Sequence, residues 1–292
     1  MRQPVQSPHT QVDRGDARRV LRIAHRGASA DHPENTLASV RGAVRLGVDS
    51  IELDVQRSRD GALVVIHDTT LTRTTDVRLR YPRRAPWIVA DFDHDELQGP
   101  DAGAWKGPEF AGGRIPTLEE AIDAARSSGT GLLLELKAPS LYPGIVTDVL
   151  STLRGVPGYW EAAVADRRLV IESFDFAAMK ALKTRAPEVE VGLLGSPARA
   201  NLAALGTWAD QVNPHHWSVD RSYVDEVHRH GMSCLAWTVN RAWAMRRALD
   251  LGFDGIITNE PARLSGALGR HGERRRLGRR QPPGPVSPRV RA

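Results

Sequence analysis

Residues 50–55 read SIELDV and residues 132–137 read LLLELK, and these two stretches indicate the fold. Each is an apolar run of the length of a buried strand, interrupted by charge at alternate positions. Successive side chains of an extended chain point to opposite faces, so Glu52 and Asp54 share one face of their strand. Glu135 and Lys137 share a face of theirs in the same way. We therefore expect two buried strands, each carrying a pair of polar side chains on one face.

Similar apolar runs lie on either side of these two along the chain. They are RVLRIA (19–24), LVIESF (169–174), VEVGLL (189–194), QVN (211–213), CLAWTV (234–239) and GIIT (255–258). Amphipathic stretches such as 36–46, 117–128, 223–230 and 242–251 separate many of them, and several end at a glycine, a signal for the end of a helix. Most spacings fit one strand plus one returning helix, and residues 18–262 make 245 residues, close to the roughly 250 of an eight-fold β/α barrel. We predict a (β/α)8 TIM barrel, with a doubly wound open α/β sheet as the alternative that periodicity leaves open.

The distance between the second and third runs is too long for one helix and predicts an insertion after the second barrel strand. The stretch 70–116 is rich in Asp, Gly, Pro and Arg and has little strand character. Residues 1–17 are polar without an apolar period, and 266–292 are rich in Arg, Pro and Gly. We predict a flexible lead-in over 1–17, a barrel domain over 18–265 and a disordered Arg-rich tail over 266–292.

The net charge of +5 is located at the C-terminus. Residues 271–292 contain seven Arg and one Glu, so the rest of the chain has a net charge of −1. This distribution argues against a nucleic-acid partner, although the tail could touch anionic surfaces. The single cysteine, Cys234, permits no disulfide within the chain, and neither a secretory signal nor an apolar run of about 18 residues is present. We predict a cytoplasmic protein without a transmembrane segment, and its oligomeric state stays open.

The first strand ends at His25 and Arg26. In a parallel barrel the carboxyl ends of the strands meet at one mouth, so these two residues should converge on the polar pairs of 50–55 and 132–137. Buried unpaired carboxylates cost several kcal/mol, and a hard divalent cation would stabilise Glu52, Asp54 and Glu135 together.

His67 is expected at the same place because of a hairpin. Asp60-Gly61 is a strong turn signal and is followed by the run ALVVIH, 62–67. A two-residue loop at 60–61 would place His67 directly opposite Asp54, whereas a loop one residue longer would turn His67 away. Two histidines near a cation suggest a general base and a general acid, and Arg26 and Lys137 suggest a bound anion. Together these residues predict metal-assisted cleavage of a phosphodiester.

The chain resembles the glycerophosphodiester phosphodiesterases of the phospholipase-C-like barrel superfamily. The matching motifs extend over residues 24–261, nearly the whole of the predicted barrel. They are HRG (25–27), PENT (33–36), ELDV (52–55), DG (60–61), HD (67–68), LTRTT (71–75), DAGAW (101–105), RIPTLEEA (114–121), LELK (134–137), ESFD (172–175), WTVN (237–240) and DGIITNEP (254–261). Any one tetrapeptide is weak evidence, but their order and spacing together are specific. The basic segment 76–90 departs from the polar loop that is usual there.

The resemblance implies a hydrolase that cleaves glycerophosphodiesters to sn-glycerol 3-phosphate and an alcohol. It implies the following roles: His25 and His67 as the acid–base pair, in an order left open; Glu52, Asp54 and Glu135 as ligands of one Ca²⁺ or Mg²⁺; Arg26 and Lys137 on the phosphate; Trp237 and Phe174 against the glycerol; and Glu34 and Asn35 beside the metal site. Asn35 or Thr36 is alternatively the cap of the following helix.

Two other functions stay open on the sequence alone. A lysophospholipase D acting on lyso-lipids would use the same catalytic residues, and an exposed hydrophobic ridge at the mouth would favour it. A binding protein that contacts nucleic acid or anionic membrane through the tail is the alternative from a different class.

Overall fold

The structure, a computed structural model, describes residues 19–278, so the predicted lead-in (1–17) and residues 279–292 of the predicted tail lie outside it. Its strands are β1 (Leu21–His25), β2 (Ser50–Arg57), β3 (Leu63–Val65), β4 (Gly131–Leu136), β5 (Leu169–Ser173), β6 (Glu190–Leu194), β7 (Gln211–Asn213), β8 (Ser233–Ala236) and β9 (Gly255–Thr258). Its α-helices are α1 (Leu37–Arg45), α2 (Val77–Arg80), α3 (His94–Leu97), α4 (Leu118–Arg126), α5 (Ile145–Gly155), α6 (Tyr159–Ala165), α7 (Phe176–Arg185), α8 (Arg199–Leu205), α9 (Arg221–Arg229), α10 (Ala242–Leu251) and α11 (Pro261–Gly278).

Eight of the strands form a closed parallel barrel. β1 pairs in parallel with both β2 and β9, and the other neighbours follow chain order through β4, β5, β6, β7 and β8. An open sheet has two edge strands, each paired on one side only, whereas every strand of this barrel pairs on both sides. This closure excludes the doubly wound alternative. The prediction of a (β/α)8 TIM barrel is confirmed.

The barrel has an outer and an inner core. Ile51, Leu53 and Val55 are fully buried in the outer core between strands and helices. Since side chains alternate along a strand, Glu52 and Asp54 point into the barrel. The inner core is small and apolar, and consists of Ile23, Leu133, Leu235 and Ile257, with Val170 and Trp237 packed against it. The polar side chains lie nearer the carboxyl ends of the same strands, which places a polar site at the mouth.

The excursion, as we call residues 66–116, lies between β3 and α4. It contains α2, α3 and two short 3₁₀ segments, and has its own apolar core, which includes Leu71, Val89 and Phe92. Lys106 Nζ donates hydrogen bonds to the carbonyls of Ser29 and Ala30 in the loop after β1. The excursion is therefore attached to the mouth of the barrel.

The prediction of disorder from residue 266 onward is wrong for residues 266–278, which continue α11. This helix begins at Pro261, a residue suited to the first helical position, and buries Leu264 and Ala267 against the barrel. It is the return helix of the last βα unit, so packing of its apolar side outweighs its polar composition. No helix within residues 19–278 is both long enough and apolar enough to cross a membrane.

Candidate active site

His25 is the last residue of β1 and lies largely buried at the mouth. Its Nδ1 donates a hydrogen bond to Asn259 Oδ1 at 2.6 Å, which leaves Nε2 as the unprotonated nitrogen of the neutral ring. Nε2 lies 3.9 Å from Glu52 Oε2. Burial, together with the charge of Arg26, lowers the pKa of His25 to about 4. The ring is therefore neutral at pH 7 and can accept a proton at Nε2.

The turn after His25 holds Glu52 through the backbone. Arg26 has a φ of 56°, and its N–H donates to Glu52 Oε2 at 2.8 Å. Gly27 follows with a φ of 80°, and a Cβ there would lie 2.5 Å from Ser39 Oγ. The glycine of the HRG motif is thus required both by its backbone angle and by the closeness of α1.

Glu52, Asp54 and Glu135 form a carboxylate cluster, with one oxygen of each within 4.8 Å of the others. The residues adjoin in the barrel because Asp54 is in register with Glu135. Two of their oxygens, Glu52 Oε1 and Asp54 Oδ1, are buried without a hydrogen-bond partner among the described residues. Buried unpaired oxygens of this kind are costly, and a cluster of oxygen ligands suits a hard divalent cation. The cluster could therefore bind a metal ion.

The charges of the cluster are only partly balanced by protein cations. Burial, with the neighbouring Asp54 and Glu135, raises the pKa of Glu52 well above its usual value. Burial and Asp54 raise the pKa of Glu135 to about 7. Burial acts in the same direction on Asp54, but Arg26 and Lys137 outweigh it and hold its pKa below the usual value. In the metal-free protein the cluster retains protons that a bound cation would displace.

Arg26 and Lys137 lie beside different oxygens of the Asp54 carboxylate. Arg26 Nε lies 3.1 Å from Oδ2, and Lys137 Nζ lies 3.6 Å from Oδ1. Lys137 Nζ also donates to Glu135 Oε1 at 2.6 Å. The two cations predicted to bind phosphate are thus both brought to the carboxylate cluster, beside different oxygens of Asp54.

His67 reaches the mouth by a different route from the one predicted. β2 and β3 pair Val55 with Val65, so Asp54 is opposite Ile66 and not His67. The hairpin loop has three residues, 59–61, and ends at Gly61 with a φ of 98°, a common alternative to the two-residue turn. The predicted register is therefore wrong by one residue.

The position of His67 is set instead by the turn that follows β3. Gln56 Nε2 donates to the carbonyls of Ile66, His67 and Asp68, at 2.9, 3.0 and 2.8 Å. The buried hydroxyl of Tyr142 in turn donates to Gln56 Oε1. Gln56 was missed from the sequence, although it continues the alternation of Glu52 and Asp54 and so faces the same way.

Asp68 orients the ring of His67, whose Nδ1 donates to Asp68 Oδ1 at 2.6 Å. Burial raises the pKa of Asp68, but hydrogen bonds from Arg73 and His67 overcome this and lower the pKa to about 2. Asp68 is therefore charged at neutral pH. His67 is near enough to the carboxylate cluster for its charge to contribute to lowering the pKa of Asp54.

Glu34 and Asn35, which follow the turn at Arg26, lie in different environments. Asn35 is buried, and its Nδ2 donates to Asp54 Oδ2 at 2.7 Å. Glu34 lies outside the carboxylate cluster and binds Arg26 Nη1 at 2.9 Å and Arg73. The cap of α1 is Thr36, whose hydroxyl accepts a hydrogen bond from a backbone N–H of the first turn. Asn35 therefore supports the cluster directly, and Glu34 does so through Arg26.

Glu172 is a fourth buried carboxylate that was not predicted as a site residue. It lies on β5 beside Glu135, and its Oε2 accepts a hydrogen bond from Asn213 Nδ2 at 2.7 Å. Burial, with the charge of Glu135, raises the pKa of Glu172 to about 8. Its signal in the sequence was weaker than that of the other three, because the apolar run LVIESF holds a single charge and not a pair at alternate positions.

Trp237 and Phe174 form an aromatic wall at the mouth. Their rings meet edge to face with centroids 5.7 Å apart, and Trp237 Nε1 donates to Asn213 O. Phe174 is 54% exposed, so the wall opens to solvent. A cavity of about 570 Å³ lies between Phe174 and the two residues Glu135 and Lys137 of the site.

Comparisons with known proteins show the family to which the chain belongs. The model of the glycerophosphoryl diester phosphodiesterase family matches residues 25–263. A glycerophosphodiester phosphodiesterase of Caldanaerobacter subterraneus is 35% identical over 249 residues, which cover 84% of this chain and 96% of that protein.

Solved structures give the same result. An Oleispira antarctica phosphodiesterase in complex with the product sn-glycerol-3-phosphate is 31% identical with a TM-score of 0.75, and the match covers 85% of this chain and 96% of that one. A glycerophosphodiester phosphodiesterase from Agrobacterium tumefaciens is 25% identical with a TM-score of 0.69, over 85% and 100% of the two chains. The chain belongs to the glycerophosphoryl diester phosphodiesterase family, and as an enzyme it is a phosphoric diester hydrolase.

Proposed function

We propose that the protein is a metal-dependent enzyme that cleaves glycerophosphodiesters to sn-glycerol 3-phosphate and an alcohol, with His25 and His67 as its acid–base pair. The observation that carries this proposal is the placing of His25 and two cationic side chains around one cluster of three carboxylates. The product complex of the Oleispira antarctica phosphodiesterase supports the choice of sn-glycerol 3-phosphate.

The metal ligands in this proposal are Glu52, Asp54 and Glu135, and the ion is Ca²⁺ or Mg²⁺. The donor set contains only carboxylate oxygens, which suits these two hard cations and not a softer metal. A divalent cation at this position would neutralise charge on the phosphate and lower the pKa of the glycerol hydroxyl that attacks it.

The hydrogen bonds of the two histidines support different roles for them. His25 presents an unprotonated Nε2 beside Glu52 and is neutral at pH 7, which suits a general base. His67 donates through Nδ1 to the charged Asp68, an arrangement that orients the ring and leaves Nε2 as the nitrogen that would deliver a proton as a general acid. In this assignment His25 takes the proton from the attacking glycerol hydroxyl, and His67 gives a proton to the departing alcohol. This step forms a cyclic phosphate, and water then opens it to sn-glycerol 3-phosphate.

Substrate binding is assigned to the charged and aromatic groups around the cluster. Arg26 and Lys137 flank Asp54, so a phosphodiester anion above the cluster would meet a cation on each side. Trp237 and Phe174 offer an apolar face to the glycerol carbons. The cavity beside Phe174 is open to solvent and has room for the alcohol group.

The experiment is an assay of glycerol 3-phosphate release from glycerophosphocholine and related diesters, with Ca²⁺, Mg²⁺ or Mn²⁺ and with excess chelator. We expect activity to need a divalent cation and to fall about 10²- to 10⁴-fold in His25→Ala. His94→Ala is the matched control, since His94 begins α3 in the excursion. Full activity in excess chelator would refute the metal assignment. Full activity of His25→Ala would refute the role of that histidine.

A further inference from the structure

The exposed large apolar side chains of the protein are concentrated on the mouth side of the barrel. Eight such residues are found among those that the structure describes. Leu21 and Leu46 lie at the start of β1 and just after α1, at the end of the barrel opposite the mouth, and each is 39% exposed. The other six are exposed by 43–82%, and we call them the mouth rim: Leu79, Trp105, Leu141, Phe174, Trp217 and Trp243.

Every residue of the mouth rim follows the carboxyl end of a barrel strand or lies in the excursion. Leu141 follows β4, Phe174 follows β5, and Trp217 follows β7. Trp243 is in the first turn of α10, which follows β8. Scattered surface hydrophobics are normal, but a set gathered around one opening marks an interaction surface.

Two tryptophans of the rim are held in place by stacking. The rings of Trp217 and Trp243 lie 5.1 Å apart, and Trp217 also stacks on His216 at 4.9 Å. The guanidinium of Arg247 lies 4.9 Å from the Trp217 ring and donates to the carbonyl of His216. The pair therefore presents a preorganised amphipathic surface of the kind that tryptophan forms at lipid–water boundaries.

The excursion adds an apolar tip surrounded by positive charge. Leu79 is 82% exposed, and Arg78, Arg80 and Arg83 are exposed beside it in the sequence. An exposed leucine among arginines complements a surface that combines acyl chains with anionic headgroups. A protein partner would need to supply both features in one matching patch, whereas an anionic lipid surface supplies them everywhere.

We propose that the mouth rim docks onto a lipid–water interface that contains anionic lipid. Leu79, Leu141 and the Trp217–Trp243 pair enter the headgroup region, and the barrel mouth faces the lipid. The substrates would then include phosphodiesters carried by lipids, such as lysophospholipids. The docking itself does not depend on the proposed function. Only the identity of these lipid substrates rests on the proposed function.

The experiment measures sedimentation of the full chain with vesicles of phosphatidylcholine containing a minority of phosphatidylglycerol. Leu79→Ser/Leu141→Ser is the rim variant, and Leu46→Ser is the control at the opposite end of the barrel. The Arg-rich residues 271–292 would themselves attract these vesicles, so binding is also measured at about 0.5 M salt, where exposed charges are largely screened.

At high salt we expect the wild type and Leu46→Ser to bind alike and the rim variant to bind about tenfold more weakly, since its apolar groups are lost. Turnover of glycerophosphocholine should be unchanged in the rim variant, while turnover of lysophosphatidylcholine in vesicles falls with binding.

Equal binding of all three proteins, or binding that salt abolishes, would overturn the proposal. The proposal would also be overturned if none of the three proteins bound vesicles and the wild type self-associated in a way that the rim variant did not. A wild type that binds vesicles without cleaving glycerophosphocholine would refute the proposed function and leave the docking intact.

Discussion

Replacing Glu172 by glutamine should stabilise the metal-free protein at alkaline pH. Glu172 is buried, and both burial and the charge of Glu135 raise its pKa to about 8. Glutamine has the same shape and can accept the hydrogen bond from Asn213 through its amide oxygen. The variant therefore removes a buried group that ionises without leaving a cavity.

The size of the effect follows from the difference in pKa between the folded and unfolded states. The usual pKa of 4.5 applies to the unfolded chain, and the folded value is about 8. Between these values the unfolded chain has released the proton and the folded protein retains it, so the free energy of unfolding falls as the pH rises. At about 1.4 kcal/mol per pH unit, the ionisation of this group lowers the free energy of unfolding of the wild type by about 5 kcal/mol at most by pH 8. The glutamine variant loses none of it.

The assay is urea unfolding in excess chelator at a series of pH values from 4.5 to 9. The stability of Glu172→Gln should equal that of the wild type near pH 4.5 and exceed it by a few kcal/mol above pH 8. Glu161→Gln is the matched control, since Glu161 is exposed on α6, and it should follow the wild type within about 0.5 kcal/mol. Parallel curves for Glu172→Gln and the wild type would show that Glu172 is ionised in the folded protein and would refute the reasoning.

Three further substitutions test how the site is held. Asn35→Ala removes the 2.7 Å hydrogen bond to Asp54 and should weaken Ca²⁺ or Mg²⁺ binding by about 10- to 100-fold, measured by calorimetric titration. Thr36→Ala removes the cap of α1 and should lower the free energy of unfolding by about 1 kcal/mol in urea without changing kcat. In the same assay, Gly27→Ala should lower the free energy of unfolding by more than Gly47→Ala does. For Gly47→Ala only the strain at positive φ applies, which costs about 1–3 kcal/mol. Both glycines have a positive φ, but a methyl group meets α1 only at Gly27 and open space at Gly47.

The barrel could be predicted from the sequence because its strands are buried on both faces. Such strands give unbroken apolar runs, and their spacing reflects the one helix that returns the chain to the start of the next strand. The carboxylates of the cluster could be found for the same reason, since a charge such as Glu135 is conspicuous in a run of leucines. Glu172 is also a charge in an apolar run, but its run holds no second charge, and it was missed for that reason.

The position of His67 could not be derived in this way. It depends on a hairpin loop whose length is decided by local hydrogen bonds: the Ser58 hydroxyl donates to Asp60 Oδ1 and accepts from the N–H of Ala62. These bonds stabilise a three-residue loop, and the register shifts by one. The extent of α11 was missed for a different reason, because burial of Leu264 and Ala267 depends on the rest of the barrel.

The three carboxylates of the cluster share one feature that supports their proposed role as metal ligands. Each has one oxygen held by the protein: Glu52 Oε2 by the N–H of Arg26, Asp54 Oδ2 by the amide of Asn35, and Glu135 Oε1 by Lys137. The second oxygen of Glu52 and that of Asp54 receive no hydrogen bond from the residues that the structure describes. Since burial penalises an unpaired oxygen, carboxylates that served only as ion-pair partners would be expected to use both. One held oxygen fixes the orientation of each carboxylate, so the HRG turn, the PENT loop and the LELK strand each orient one of the proposed ligands.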